Sequence, residues 1–216
     1  MAKIKQGILG GFSGKVANVV GTSWKGRAVM KSQPLSVSNP STENQVGQRN
    51  KFSKIAELAS QILTQFVQPV ENPISGNISG YNLFCKDNKT AFDAAGAFVP
   101  ANLVCGGGKI INLESVSASA HAGGSDITME WDNSAETSAL RLTDRVYAVA
   151  LDASAKVLGV SSSAVSRETE MNPIYLNEGA EMPAAGQKVY VLYAAVSADG
   201  RDVSVKTKAI ALTVAS

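Results

Sequence analysis

The spacing of apolar residues changes at the run of glycines Gly106–Gly108. In the segments 43–67 and 79–95 before it, apolar side chains recur at intervals of three and four residues, which is typical of amphipathic helices. After it, apolar and polar residues alternate over short stretches bounded by turn residues, which is typical of half-buried strands. The change predicts an α+β fold with two domains, residues 1–105 and 106–216.

The second domain is predicted to be a β-sandwich of the immunoglobulin-like or fibronectin-like kind, because short strands with turn signals follow each other every 8–12 residues or so. Asp199-Gly200 is a strong hairpin turn, and Trp131 is expected in the core. The segment 163–186 is less regular and is compatible with a short strand or an edge loop. The predicted strands are 109–120, 125–132, 144–152, 155–162, 187–196, 201–206 and 207–214.

Residues 42–45, Thr-Glu-Asn-Gln, form the pattern of a capping box, in which the threonine hydroxyl and the glutamine side chain satisfy each other's backbone amides. An apolar stripe then predicts a helix over 43–67 that ends at Pro69 and Pro73. A second helix is predicted within 79–95, antiparallel to the first, so that the two form a helical hairpin. The stripe consists of Phe52, Ile55, Ala59, Ile62, Leu63 and Phe66.

Residues 14–32 predict a β-hairpin of two strands, with turn points between Gly21 and Gly26. A single hairpin is marginally stable at best in water. Its apolar side chains therefore need a cover, either from the helices of this chain or from another subunit. They are Val16, Val19, Trp24, Ala28 and Met30.

Charge divides the chain unequally. Residues 1–51 contain eight Lys or Arg and one acid, Glu43, for a local charge of +7, whereas the whole chain is +2. The remaining residues therefore sum to −5, and any case for nucleic-acid binding has to rest on the N-terminal arm.

Three interpretations of the basic arm stay open. Its charges can be solvated groups on an ordinary hairpin, or they can dock the chain onto another protein subunit, with strand edges completing a neighbouring sheet. They can also bind nucleic acid, with lysines and arginines on phosphates and Trp24 stacked on a base. Protein docking is favoured because aromatic residues are few in the arm. The predicted docking residues are Lys15, Trp24, Lys25, Arg27, Lys31, Arg49 and Lys51.

No motif in the sequence points to catalysis. Gly14-Lys15 is not a phosphate loop, because position 9 is Leu instead of Gly and position 16 is Val instead of Ser or Thr. The single histidine, His121, lies beside a Gly-Gly turn, and no hydrolase elbow motif accompanies it. We expect a non-enzymatic protein without a cofactor.

Other reactive side chains also have plain interpretations. Asp126, Glu130 and Asp132 share one face of a strand, which we expect to be solvated; a weak calcium site and a glycosidase-type acid pair are the alternatives left open. Cys85 and Cys105 are expected to be small buried residues, and no zinc site is expected. No run approaches the ~20 apolar residues of a membrane span.

Several segments carry a family resemblance. Residues 11–26 read GFSGKVANVVGTSWKG, residues 31–34 read KSQP, and residues 39–52 fit the pattern NPxTxxQxxxRxKF. Tyr81-Asn82 and the tail segment YAAVSADG at 193–200 follow. In these motifs the chain resembles a domain family of unknown function that is abundant in Bacteroidota genomes and also met in their phages, although Lys31 stands where that pattern often has Arg.

The resemblance implies a hairpin-and-helix module followed by an immunoglobulin-like domain, and it brings no established activity. By analogy with such domains in phage virions, we expect a structural virion component that docks on capsid or tail proteins and forms a homo-oligomer. The N-terminus lacks a signal-peptide pattern, which fits a virion protein released by lysis. The alternative is a nucleic-acid-binding module of the bacterial cytoplasm.

Overall fold

The computed structural model describes residues 3–4, 10–34, 36, 39–133, 139–161 and 165–216. Packing divides the chain into two compact units, Met1–Ser41 and Thr42–Ser216. The first unit is a small sheet, and the second contains the helices together with all later strands.

The first unit is an antiparallel meander in which strands pair in chain order: β1 (Lys3–Ile4), β2 (Phe12–Val16), β3 (Val19–Trp24) and β4 (Arg27–Ser32). The sheet is larger than the predicted hairpin, because Gly21 lies inside β3 and pairs with both neighbouring strands. The turns fall instead at residues 17–18 and 25–26.

The second unit begins with α1 (Glu43–Gln61), where Gln45 Oε1 accepts a hydrogen bond from the Thr42 amide at 3.4 Å and the predicted capping box is confirmed. Phe52, predicted on the buried stripe, is instead 62% exposed because it lies at the margin of the face that α1 buries.

The prediction that Pro69 and Pro73 end the first helix is wrong. The chain continues through a π-helical turn at Leu63–Val67, α2 (Gln68–Glu71) and a 3₁₀ turn at Asn72–Ile74. Each proline occupies the first turn of a new helical segment, where a missing N–H removes no internal hydrogen bond.

The second helix, α3 (Gly80–Asp87), is shorter than predicted. Buried Asn88 follows it and bonds the backbone of β5 (Val104–Cys105), accepting from the Val104 amide at 2.7 Å and donating to the Val104 carbonyl at 2.9 Å. These bonds turn the chain away from the helix axis.

The elements after β5 are β6 (Glu114–Ser119), β7 (Asp126–Asp132), α4 (Ala139–Leu142), β8 (Arg145–Leu151), β9 (Val157–Val160), β10 (Val165–Ser166), β11 (Met171–Tyr175), β12 (Lys188–Val196), β13 (Thr207–Lys208) and β14 (Ile210–Thr213). Most of these strands form two antiparallel sheets. One has the order β11-β7-β6, and the other has the order β10-β8-β12-β14, with β9 also paired to β8. The short pair β13-β5 lies outside both.

The facing sides of the two sheets enclose a common core that includes Ile127, Trp131, Ala148, Ile174 and Val191. The main strands of the sandwich, in chain order, are β6, β7, β8, β9, β11, β12 and β14. The first, second and fifth of these form one sheet, and the third, sixth and seventh form the other. The fourth strand, β9, is added to the second sheet beside the third strand. This is an immunoglobulin-like, fibronectin-like sandwich, and the predicted α+β fold class is confirmed.

Some strand predictions differ from the sheet. Residues 201–206 form only isolated bridges at Val203 and Ser204, and the irregular segment 163–186 contains β10 and β11. The packing also does not follow the predicted division at 105/106. Phe66 and Phe84 of the helical part share a core with Leu151 and Leu192 of the sandwich, so helices and strands fold into one unit.

Candidate functional site

One face of the N-terminal sheet gathers four of the predicted docking residues. Lys15 pairs with Val20 and Val20 pairs with Lys31, so these side chains form one row across three strands. Trp24 pairs with Arg27 at the other end of the same face, because residues two apart on a strand point to the same side. This basic face consists of Lys15, Val20, Thr22, Trp24, Arg27, Val29 and Lys31.

Trp24 is the most prominent apolar group of the basic face, with 63% of its surface exposed. The Lys25 ammonium lies 4.9 Å from the centre of the indole ring, within the range of a cation–π contact. Lys25 and Gly26 form the turn between β3 and β4 with positive φ of 48° and 78°, as a type I′ hairpin turn requires. The turn thus holds a fifth predicted docking residue beside the first four.

The opposite face of this sheet is apolar and also open. Val16, Val19 and Met30 are 53%, 39% and 72% exposed, while Phe12 covers Gly21. Within residues 10–34, Gly21 is the sole buried residue. A small sheet with so little buried surface gains little hydrophobic stabilisation by itself.

The charge of the first unit has one sign. Residues 1–41 contain six Lys or Arg and no Asp or Glu. The potential over the basic face is therefore positive, and a neutralising partner has to come from outside these residues.

Arg49 and Lys51 are not part of the basic face. Both lie on α1 in the second unit, Arg49 exposed and Lys51 half-buried. Positions two apart on a helix differ by about 200° in direction, so the two side chains leave opposite sides of α1. Sequence reasoning grouped them with the arm by charge alone. It missed Val20, Thr22 and Val29. These residues are assigned to the basic face once the turn is placed at Lys25-Gly26 and alternate residues of each strand are taken to share a face.

The two thiols are chemically quiet. Burial raises the pKa of both Cys85 and Cys105, and Cys105 Sγ lies 3.0 Å from the Tyr193 carbonyl oxygen and 3.2 Å from Thr207 Oγ1. Both are free and buried, as predicted. His121 is exposed at the surface. Among the described residues, no three His, Cys, Asp or Glu side chains come together as a metal site would require.

Glu71, the last residue of α2, has a buried carboxylate that contacts the glycine run Gly106–Gly108. Its Oε1 accepts from the Gly106 amide at 3.1 Å, while its Oε2 has no hydrogen-bond partner among the described residues. Burial raises the pKa of Glu71 to about 7, and the nearby Asp87 adds to this, whereas Gly106 and Lys206 oppose it.

A cleft of about 660 Å³ in the second unit is lined by both signs of charge, including Asp152, Glu181, Lys156 and Lys188. Asp152 Oδ1 accepts from the amides of Ser154 at 2.7 Å and Lys156 at 2.9 Å, so that carboxylate fixes its own turn. The cleft therefore argues less strongly for a ligand than the basic face does for a partner. None of the helices in the described ranges has the length and apolar composition to cross a membrane.

Comparison with known proteins assigns the chain to a family. A family model with the description "Family of unknown function (DUF6266)" matches residues 11–208, which include the motifs at 11–26 and 39–52. The expectation of a family of unknown function is confirmed at this level. The Bacteroidota and phage origin stays a prediction.

Among curated proteins, none matches this chain. Among solved structures, the crystal structure of the FN1-FN3 domains of chicken CNTN1 is similar, with 11% identity and a TM-score of 0.35. The similarity covers 50% of this chain and 33% of that chain, so half of this chain matches about a third of that one. The fold assignment rests on the strand order described above.

Proposed function

We propose that this chain, which belongs to the DUF6266 family of unknown function, is a non-enzymatic structural protein of a phage virion. In this proposal the basic face docks on another protein subunit of the particle, a capsid or tail protein. The chain forms an oligomer there and contributes its β-sandwich to the particle.

The observation that carries the proposal is the basic face itself. On one side of a sheet that leaves its own apolar groups open, Arg27 lies beside the exposed Trp24 at one end, and Lys15 and Lys31 lie at the other end. Trp and Arg are the residues that most often dominate binding energy in protein interfaces. A partner with an apolar pocket and an acidic rim would complete such a surface.

The edge of the sheet adds a second means of docking. Among the described strands, β4 pairs with β3 alone, so its other edge can accept an additional strand through backbone amides and carbonyls. Strand addition uses such edges, and cations along the edge limit uncontrolled pairing. β4 carries Arg27 and Lys31.

The proposal is tested by incorporation of charge-reversed chains into phage particles. Lys15→Glu together with Lys31→Glu reverses the charge of the row around Val20, and both positions lie in the first unit. We expect this variant to be lost from purified particles by at least about tenfold relative to the unmodified chain, because interface charges are reversed.

The matched control is Lys86→Glu with Lys89→Glu, two exposed lysines of the second unit that give the same change in net charge. This control should enter particles normally. Normal incorporation of the variant with Lys15→Glu and Lys31→Glu would refute docking through the basic face.

A nucleic-acid-binding module of the bacterial cytoplasm is the second candidate, favoured by the combination of an exposed indole with cations on one sheet face. It requires affinity for single-stranded DNA or RNA that falls steeply with salt and weakens when Lys25, Arg27 and Lys31 are reversed. Fluorescence anisotropy with labelled oligonucleotides at two salt concentrations measures this. Absent or salt-independent binding would exclude the candidate.

A further inference from the structure

The outer side of the three-stranded sheet β11-β7-β6 has a composition complementary to the basic face. Along β7, Ile127, Met129 and Trp131 point into the sandwich core. The intervening residues therefore point outward, as do their cross-strand partners. This acidic face consists of Glu114, Ser117, Ser119, Asp126, Thr128, Glu130, Asp132, Met171, Pro173 and Tyr175.

The acidic face combines negative charge with exposed apolar groups. Four of its ten positions are Asp or Glu, and none is Lys or Arg. Tyr175 and Met171, which pair with Asp126 and Glu130, are 58% and 47% exposed. A face that is both acidic and partly apolar fits a partner that is both basic and partly apolar.

The same chain provides such a partner. The basic face has Lys15, Arg27 and Lys31 to pair with carboxylates, and Trp24 to contact apolar side chains. Like the acidic face, it lies on three antiparallel strands. We infer that the acidic face of one copy binds the basic face of a second copy, with the two sheets packed face to face. This inference rests on the proposed function, because it assumes that the basic face docks on protein, and it names the partner.

The charges limit the kinds of assembly. A contact that places each patch against its own copy would bring basic residues against basic residues, or acidic against acidic. Contact between unlike patches is either reciprocal, with two copies exchanging both contacts in a closed dimer, or head to tail, with copies joined into a ring or an open row. In an open row, the basic face at one end is left for a capsid or tail protein.

The size of the two faces sets the strength of the contact. Three strands about 4.8 Å apart and six residues of about 3.4 Å each give a footprint of about 300 Å². A stable complex typically buries about 800 Å² per partner. Each contact is therefore weak, and self-association depends on protein concentration and on salt.

Sedimentation velocity of the full chain over a concentration series tests the inference. The unmodified chain should self-associate, and added salt should weaken the association. Lys15→Glu with Lys31→Glu, and separately Glu114→Lys with Glu130→Lys, should each raise the dissociation constant by at least about tenfold. An equimolar mixture of these two variants should associate again, because each then meets the opposite charge.

Controls with equal charge changes outside both faces are Lys86→Glu with Lys89→Glu, and Glu57→Lys with Glu181→Lys; both should associate like the unmodified chain. An unmodified chain that stays monomeric throughout, or a mixture that stays dissociated, would overturn the inference. If the unmodified chain stays monomeric while Lys15→Glu with Lys31→Glu is lost from particles, only the inference of self-association is refuted. If the unmodified chain self-associates while that variant enters particles normally, only the proposal of virion docking is refuted.

Discussion

Glu71 shows at the scale of one residue how burial makes folding depend on pH. The residue is 2% exposed; one carboxylate oxygen accepts from the Gly106 amide, and the other has no hydrogen-bond partner in the part of the chain that the structure describes. Burial is the main cause of a pKa of about 7, compared with 4.5 for an unperturbed glutamate. The folded chain therefore binds a proton more tightly at this position than the unfolded chain does.

Because the folded-state pKa is raised, the contribution of Glu71 to stability is complete below about pH 4.5 and is lost as pH rises to about 7. The shift corresponds to at most about 3 kcal/mol of unfolding free energy. Glu71→Gln keeps an oxygen for the Gly106 amide and does not titrate. We expect the variant to lose less stability than the unmodified chain between pH 5 and pH 8.

Urea unfolding of both proteins at these two pH values measures the effect, and all other titrating groups cancel in the comparison. Parallel pH profiles for the two proteins would show that Glu71 stays ionised in the folded state or is hydrated there.

Single residues differ in how far their environment can be predicted from sequence. Trp131 was predicted in the core from its strand, and it is 4% exposed with its Nε1 donating to the Arg167 carbonyl at 2.8 Å. Arg167 is 1% exposed, and its guanidinium donates to the carbonyls of Ile111 and Asn112 at 3.2 Å. Its burial depends on carbonyls more than fifty residues away, for which no local pattern exists.

At the scale of elements, the N-terminal sheet depends on a glycine in the middle of β3. A Cβ at Gly21 would collide with the carbonyl oxygen and the ring of Phe12. Gly21→Val should therefore force β2 away from β3, even though valine favours strands. We expect amide hydrogen exchange in β2 and β3 to accelerate by at least about tenfold, with the second unit unchanged.

Ser23→Val is the matched control, because Ser23 lies on the same strand and the same face as Gly21 but is exposed. It should leave exchange in β2 unchanged. Equal protection in the unmodified and Gly21→Val chains would contradict the close packing of Phe12 on Gly21.

Elements marked by a local sequence motif were predictable, whereas elements whose bounds depend on the strands they pair with were not. The capping box fixed the start of α1 at Thr42. The segment 163–186, which contains β11, is compatible from sequence with a short strand or an edge loop, because its pattern is less regular. Pro173 within it also disfavours a central strand. The structure places β11 at the edge of its sheet, beside β7, where a residue without an N–H is tolerated.

At the scale of the whole molecule, the change in apolar spacing at Gly106–Gly108 predicted the fold class, but packing divides the chain after Ser41. Apolar residues of α1 and α3 belong to the same buried cluster as residues of β8 and β12. Periodicity reports which side of an element is buried and carries no information on what covers it. Periodicity therefore leaves open whether the apolar residues of the N-terminal sheet are covered by the helices of this chain or by another subunit.

The central claim, that the basic face is covered by protein in the particle, can be measured on Trp24. The chain has two tryptophans, of which Trp24 is 63% exposed and Trp131 is 4% exposed, so Trp131 serves as an internal reference. Hydroxyl-radical oxidation should modify Trp24 readily in the dilute free chain and at least about tenfold more slowly in purified phage particles, since interface cores exclude water. Equal oxidation of Trp24 in the free chain and in particles would contradict the account.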